Sequence, residues 1–367
     1  MGVGEGAIAL SSALCHPEIM EVGEGANVFC SASNNGIIFM GHSRSDLLAK
    51  LFKNGIAYLF MLLTVIVTLL SMVGYLGKLN MYLEVTTNLR HQYLLLGLIP
   101  FFFFLLTRRR VWLIVSLFCV SINLVEIVPW YIPQIAAANS SSGQTMRLFL
   151  FNVLHENTRY ADAISLVEKE KPTVAAFLEA TAPWPEKLVA LQDTLPYHFS
   201  AKKLQIEIYS SLPLNKTSIQ LYGKYRGLVI SSLTVGKKEI IFIATHTYPQ
   251  LYFGKEGFEW RNQQLEEGIG DYVKKLQKPV VLIGDLNVTM WSPHYKSMIQ
   301  RSGLRNARAG FGILPTLSSL SPQTPWLATP VDHCLVSRDI RVLDFRTGPA
   351  IGSDHLPVIT DVVLPAS

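Results

Sequence analysis

The sequence predicts a mixed α/β domain, two packed sheets with helices outside, carried behind about three transmembrane helices. Three observations predict it. Gly55–Gly77 runs for 23 residues without a charge. Beyond Met146, short apolar runs alternate with amphipathic stretches. The residues that end those apolar runs are Asn, Asp, Glu and His, the types that carry chemistry. Composition agrees: 49% of the 367 residues are hydrophobic and 16% are charged, against roughly 25% charged in a soluble chain. Mean hydropathy is +0.29.

Residues 1–54 read as an N-terminal tail, disordered or cytoplasmic. Its first 43 residues are rich in Gly, Ala and Ser and show no period. They lack a basic segment followed by an apolar one, so they do not read as a signal peptide. Met40 is a second candidate start.

The transmembrane region is 55–135, with spans at about 55–77, 91–107 and 111–132. A span needs about 20 apolar residues, which the first supplies outright. The second is short, very apolar and closed by Arg108-Arg109-Arg110. The third carries one acid, Glu126, near its far end, with Trp130-Tyr131 at interface depth. Arg44, Lys50, Lys53 and the arginine triplet fall on one side, and Lys78 and Arg90 on the other. The positive-inside rule puts the triplet in the cytoplasm. Three spans then deliver everything after Ile132 to the outside of the cell (inner) membrane, and two would leave it in the cytoplasm. Residues 136–145 (AAANSSSGQT) form a linker reaching roughly 15–20 Å.

Residues 146–367 form the α/β domain. Strands are predicted at Arg147–Asn152, Thr173–Glu179, Gln205–Tyr209, Gly227–Val235, Glu239–His246, Pro279–Asn287, Val331–Ser337, Ile340–Arg346 and Pro357–Leu364. A helix capped at Asn157 or Thr158 would bury Ala161, Ile164 and Val167. Phe258–Leu276 and Trp291–Ser302 read as further helices. This element count fits one domain of two packed sheets flanked by helices.

The domain carries 24 basic and 20 acidic side chains with no block of like charge, which argues against a protein that grips phosphate backbones by charge alone. The four cysteines, Cys15, Cys30, Cys119 and Cys334, form no CxxC, so neither a disulfide framework nor a cysteine metal site is indicated.

Asn152, Glu179, His246, Asp285 and Asn287, Asp332 and His333, and Asp354 and His355 all sit at strand ends. An unpaired buried carboxylate is expensive, so a single such acid usually caps or turns the chain. This many converge only if the strands belong to facing sheets that share a rim. Alternatives stay open for each. His246 could be a satisfied core histidine, Asn152 a strand terminator, and Asp332 a partner of His333 or of a backbone amide.

The ordered set FN…LEA…THTYP…GDLN…VDH…GSDH resembles the endonuclease/exonuclease/phosphatase superfamily, which includes deoxyribonucleases, sphingomyelinases and inositol 5-phosphatases. The resemblance covers about 146–364 and none of the spans, and is to membrane-anchored bacterial-type members. It implies a four-layer α/β sandwich. It implies metal ligands Glu179, Asn152 and Asp354, with Mg²⁺ or Mn²⁺ as the cofactor. It implies Asp285 as the group that activates water, Asn287 and His246 facing phosphate, and His355 on a phosphoryl oxygen with Asp332 as its partner. Such chemistry needs a hard cation on oxygen ligands and donors for growing phosphoryl charge. Two departures stand out. Leu154 replaces the acid that abasic endonucleases carry there, and Glu207 is the one acid near LQIEIYSS that could orient His246.

The long connection 303–330 offers Arg305, Arg308 and Trp326 as candidate substrate contacts, since long loops are often functional. The expected function is a membrane-anchored, metal-dependent phosphoesterase acting on a phosphate ester or pyrophosphate, lipid favoured because the linker is short. A tethered extracytoplasmic nuclease is the alternative, and an inactive binding or scaffold module the third.

Overall fold

The computed structural model describes residues 20–22, 26–33, 36–133, 143–318 and 327–364, with side chains from Lys53 onward. It divides into two compact units, 1–63 and 64–367. In the first, β1 (Met20–Val22), β2 (Ala26–Ser33) and β3 (Gly36–Ser43) pair as an antiparallel sheet, where the sequence suggested only a tail. Most of the expected linker and Trp326 lie outside the described residues.

Three helical segments are long and apolar enough to cross a membrane: Lys53–Leu76, Met81–Thr107 and Arg110–Trp130. The first lies in α1 (Arg44–Val73), which enters the second unit. The second comprises α2 (Met81–Val85), a 3-10 turn over Thr86–Leu89, and α3 (Arg90–Thr107). The third is α4 (Arg110–Ile127) with a closing turn. At 1.5 Å per residue, the 18 residues of α3 span about 27 Å, close to a hydrocarbon core of about 30 Å. Arg108, at φ 55°, reverses the chain between α3 and α4. The two lie close where Gly97 meets Cys119, since a Cβ on Gly97 would sit 3.3 Å from Cys119 Sγ.

The α/β domain begins with β4 (Thr145–Asn152), α5 (Tyr160–Glu170), β5 (Val174–Leu178), α6 (Trp184–Leu188), β6 (Tyr197–Ala201) and β7 (Ile206–Ser210). It continues with β8 (Asn215–Tyr222), β9 (Arg226–Val235), β10 (Lys238–His246), α7 (Gly254–Gln263) and α8 (Tyr272–Lys274), the last two joined by a π-helical stretch at Gln264–Asp271. It ends with β11 (Val280–Asp285), α9 (Pro293–Ser302), β12 (Arg305–Asn306), β13 (Asp332–Val336), β14 (Arg341–Thr347) and β15 (Val358–Val363). One six-stranded sheet has the order β14-β15-β4-β5-β7-β6, and the other β12-β13-β11-β10-β9-β8.

Apolar side chains of both sheets, among them Leu148, Leu150, Ala176, Ile208, Phe242 and Ile283, interlock as one core. A second cluster places Phe149, Phe151, Phe177 and Trp184 under α5 and α6. A third lies beneath α9 and the π-helical stretch, and takes in Ile127, Leu94 and Trp130 from the second and third apolar segments. The result is the four-layer α/β sandwich. Every strand predicted from the sequence is present. Three edge strands were missed: β6 and β8, whose exposed, polar faces show no clear alternation, and β12, only two residues long.

One helix face differs from expectation. α5 buries Ala163, Leu166 and Val167, while Ala161 is exposed. Asn157 does not cap it. Its amide donates to the carbonyls of Val153 and Ile351, tying two loops together.

Within this unit the apolar helices are docked on the domain. Glu84 is fully buried and accepts from Arg261 Nη2, Gln250 Nε2 at 3.1 Å and Ser292 Oγ at 2.5 Å. Trp291 Nε1 donates to the Glu126 carbonyl at 2.9 Å, and Lys296 pairs with the Glu126 carboxylate at 2.8 Å. The amides of Gly310 and Gly312 both donate to the Trp130 carbonyl.

Candidate active site

The central strands of the two sheets end at one rim. β4 ∥ β5 brings Asn152 level with Leu178, one residue before Glu179. β10 ∥ β11 sets His246 beside Asp285, and antiparallel β13 sets Asp332 on the other side of Asp285. Leu154, Glu179 and Asn287 each follow such a strand end, and each has a positive φ, 59°, 57° and 49°. Non-glycine residues adopt this left-handed backbone only where the surroundings impose it. Here it turns the chain sharply out of the strand.

Asn152 lies at the centre. Its Nδ2 donates to Asp285 Oδ2 at 3.1 Å and to Glu179 Oε1 at 3.3 Å. His246 Nε2 lies 3.5 Å from Asp285 Oδ2 and 3.8 Å from Glu179 Oε1. Asp285 Oδ1 accepts from the Asn287 amide at 2.8 Å, and Asn287 Nδ2 donates to the Thr247 carbonyl at 3.0 Å. His355 Nδ1 lies 2.7 Å from Asp332 Oδ2, and its Nε2 3.7 Å from Asp285 Oδ2. Seven sequence-predicted residues, Asn152, Glu179, His246, Asp285, Asn287, Asp332 and His355, are thus brought together.

Their environment sorts their charges. Burial, with the Asp332 carboxylate nearby, pushes Asp285 up to about 7, against the pull of His355 and the donors Asn287 and Asn152. Burial opposes a charged His355, yet Asp332 and Asp285 outweigh it and raise the imidazole to about 10. His355 is therefore an imidazolium at neutral pH. His246 is the opposite case. Burial, then Arg226 and His355, hold it well below the usual range, so it is neutral. Its Nδ1 is buried and has no partner among the described residues.

Asp285, Asp332 and His355 lie close enough together to hold a metal. Within that trio His355 Nδ1 and Asp332 Oδ2 are already engaged with each other at 2.7 Å. Glu179 and Asp285 offer carboxylate oxygens, with the amide hydrogens of Asn152 held between them. A positive group is already favoured at that point, and an all-oxygen set suits a hard cation. The residues fit Mg²⁺ or Mn²⁺ there.

The other candidates are placed as follows. The Asp354 carboxylate meets Ser353 Oγ at 3.4 Å and makes no hydrogen bond to Glu179 or Asn152 among the described residues. Arg308 is not available as a substrate contact. It is fully buried, stacks on Phe345 at 4.7 Å, and donates to carbonyls including that of Asp332 at 2.6 Å. Its role is to hold the strand that presents Asp332. Arg305 sits on edge strand β12 and donates to the Ile340 carbonyl, away from the rim. His333 turns away to Asn306 and the Val288 carbonyl, and burial first, then Arg308, lowers it to about 3. Glu207 is taken by His198 and Ser200, so it does not orient His246.

Two residues at the rim were missed. Arg226, at the start of β9, is close enough to Glu179 and Asp285 for their charges to support its own against burial. A lone arginine before an apolar run gives no signal in the sequence. His155, three residues after Asn152, brings Nδ1 within 3.7 Å of Glu179 Oε2.

The model of the Endonuclease/Exonuclease/phosphatase family matches residues 149–355, a range that contains every rim residue. No curated protein matches the chain. Among solved structures, the chain is similar to the endonuclease/exonuclease/phosphatase of Bacteroides vulgatus at 16% identity, covering 60% of this chain and 99% of that one with a TM-score of 0.51. It is also similar to sphingomyelinase C of Streptomyces griseocarneus (17% identity, 59% and 99% covered, TM-score 0.43). A third is a mannosyl-6-phosphatase of Bacteroides thetaiotaomicron (14% identity, 60% and 100% covered, TM-score 0.47). At these identities the likeness is one of fold.

Proposed function

The chain belongs to the endonuclease/exonuclease/phosphatase family, whose members hydrolyse phosphate esters, and from that premise we propose that it is a membrane-anchored, metal-dependent phosphoesterase acting on a lipid phosphate ester or pyrophosphate. The observation that carries the reading is the pairing at the rim of a carboxylate raised to about 7, Asp285, with an imidazolium, His355, 3.7 Å away. A base with a pKa near neutrality and a fixed cation beside it are what water attack on phosphorus requires.

In this mechanism Asp285 takes a proton from the attacking water. The Asn287 amide holds one carboxylate oxygen of Asp285, leaving the other toward the reaction. His355 donates from Nε2 to a phosphoryl oxygen as charge builds there, and Asp332 fixes its tautomer and charge. His246, neutral, offers a hydrogen bond to phosphate without adding charge. Glu179, with Asp285 beside it, would hold Mg²⁺ or Mn²⁺, and Asn152 would join them through its Oδ1, which here accepts from the Leu154 amide, with Asp354 as an outer acid. The cation would supply charge to the phosphate oxygens and lower the pKa of a bound water.

The domain division proposed is 1–54, membrane region 55–135, linker 136–145 and catalytic domain 146–367. The hairpin of α3 and α4 supports an outward-facing catalytic domain. Glu84 at one end and Glu126 and Trp130 at the other contact the catalytic domain, while Arg108–Arg110 lies at the far end. With that triplet in the cytoplasm, the catalytic domain faces outward. Nucleic acid remains the second choice of substrate, disfavoured by the near balance of charge.

The test is hydrolysis by the purified full chain with Mg²⁺ or Mn²⁺. The panel holds a phospholipid, a polyprenyl pyrophosphate, an inositol phosphate and plasmid DNA, each beside Asp285→Asn. Loss of a general base lowers turnover by roughly 10²–10⁴-fold. Turnover on a lipid that survives in EDTA, or that Asp285→Asn leaves intact, would refute the mechanism. Nicking of DNA alone would make the chain a nuclease.

A further inference from the structure

A cavity of about 400 Å³ opens beside the rim, between the membrane helices and the catalytic domain. Val85 and Leu89, from the top of the second membrane segment, form one wall. Leu251, Leu317 and Val331 form most of the other, Asn88, Gln250 and Thr329 add polar groups along the walls, and Asn287 stands at the catalytic end. Each domain-side wall is tied to the chemistry. Leu317 bridges to His355 through the backbone, Val331 precedes Asp332, and Leu251 lies five residues after His246. At the outer lip, Leu251, Tyr252 and Phe253 are exposed, with Tyr252 83% exposed. An apolar patch of this kind, next to helices that span a bilayer, suits the interface, where aromatic rings prefer to lie.

We propose that this cavity holds the hydrocarbon chain of the substrate, so that the membrane helices supply half of the substrate site. The proposal rests on the phosphoesterase reading above and goes beyond it. With the phosphate at Asn287 and His355, the adjoining space is mainly apolar, and two of its polar residues, Asn88 and Gln250, are bonded to each other at 2.7 Å, so a hydrocarbon chain suits it better than a sugar or nucleoside, whose hydroxyls would need partners. A hydrocarbon chain needs no partners and gains from leaving water. Entry would be from the bilayer side, past Leu251 and Tyr252.

The experiment uses the full chain in detergent with Mg²⁺ and a matched series of alkyl p-nitrophenyl phosphodiesters, ethyl to octyl, each below its micelle concentration. Full burial of a methylene raises kcat/KM by about fourfold, so partial burial of the six added methylenes should make the octyl ester exceed the ethyl ester by about tenfold or more. Leu89→Trp, which fills the cavity, should bring that ratio towards one. Leu251→Asn, on an exposed loop where folding is not at stake, should lower it as well. Ile99→Trp, on the exposed face of α3 in the same segment, should keep it. Equal rates along the series, or a ratio untouched by both Leu89→Trp and Leu251→Asn, would overturn the cavity proposal and leave the phosphoesterase standing. A folded chain that cleaves none of the esters, the ethyl one included, would remove both.

Discussion

Removing the Glu84 carboxylate should destabilise the whole chain by about 3–5 kcal/mol, the usual penalty for stranding a buried charge. Glu84 and Arg261 both have fully buried side chains. Burial pulls Arg261 below its ordinary pKa, and Glu84 is what supports its charge. Asn262 Oδ1 accepts from Arg261 Nε and Nη2, but its Nη1 has no partner among the described residues, so little else can compensate. Glu84→Ala also strands Gln250 Nε2 and Ser292 Oγ.

At about 2–4 °C per kcal/mol for a domain of this size, the melting temperature should fall by roughly 6–20 °C. The assay is thermal unfolding of the detergent-solubilised full chain by tryptophan fluorescence, which Trp291 at this interface would report. Glu84→Gln should lose nearly as much, since it keeps the shape and removes the charge. Combining it with Arg261→Met should recover most of the loss, because removing both partners of a buried pair is often close to neutral. A melting temperature for Glu84→Ala unchanged within the error of the scan would refute the reasoning, as would a double variant no better than the single one.

Three further outcomes are expected. Glu179→Gln should shift the metal titration of activity to higher Mg²⁺ with the fold intact by circular dichroism, and an unshifted curve would move the cation elsewhere. Arg147 and Arg346 hold Asp361 below the usual carboxylate range against its partial burial. A depressed folded pKa gives stability that is present above the unfolded value of about 3.9 and is lost as pH falls through the folded one. Asp361→Asn should therefore lower the melting temperature near neutrality and flatten its fall at acid pH, and equal acid slopes would contradict this. In cells carrying Cys15→Ser and Cys30→Ser, Lys187→Cys should react with a membrane-impermeant maleimide and Arg109→Cys should not. The reverse pattern would place the catalytic domain in the cytoplasm.

The strands were legible because each central one is a continuous apolar run buried on both faces, ended by one polar residue. Such an end is a local signal, and β4, β5, β10 and β11 all carry it. Convergence of those ends at one rim needs only that the sheets face each other. What stayed hidden depends on partners distant in sequence. Arg308 looks like a loop arginine free to meet substrate, and only the fold shows Phe345 and the Asp332 carbonyl around it. Arg226 carries no motif. Glu84 looks like an ordinary acid in a loop between spans, and its partner lies 177 residues away.

The same long-range contacts change the meaning of the linker. From the sequence, the catalytic domain hangs on ten residues that keep it near the bilayer. In the structure it is held by an interface whose residues lie directly behind the rim residues. His246 is followed by the loop that gives Gln250 to Glu84, and Asp285 by the loop that gives Trp291 to the Glu126 carbonyl and Ser292 to Glu84. A fragment begun at Met146 would leave Arg261 open to water, so its charge would be solvated and the fragment could still fold. The loops behind His246 and Asp285 would lose the partners that fix them. Misplacement of a catalytic group by about 1 Å can cost 10²-fold in rate. A fragment that is stable yet far less active than the full chain, on the ethyl ester as well as the octyl, is therefore the expected consequence of a membrane domain that positions the site. Equal ethyl-ester activity in fragment and full chain would show that the helices serve as an anchor alone.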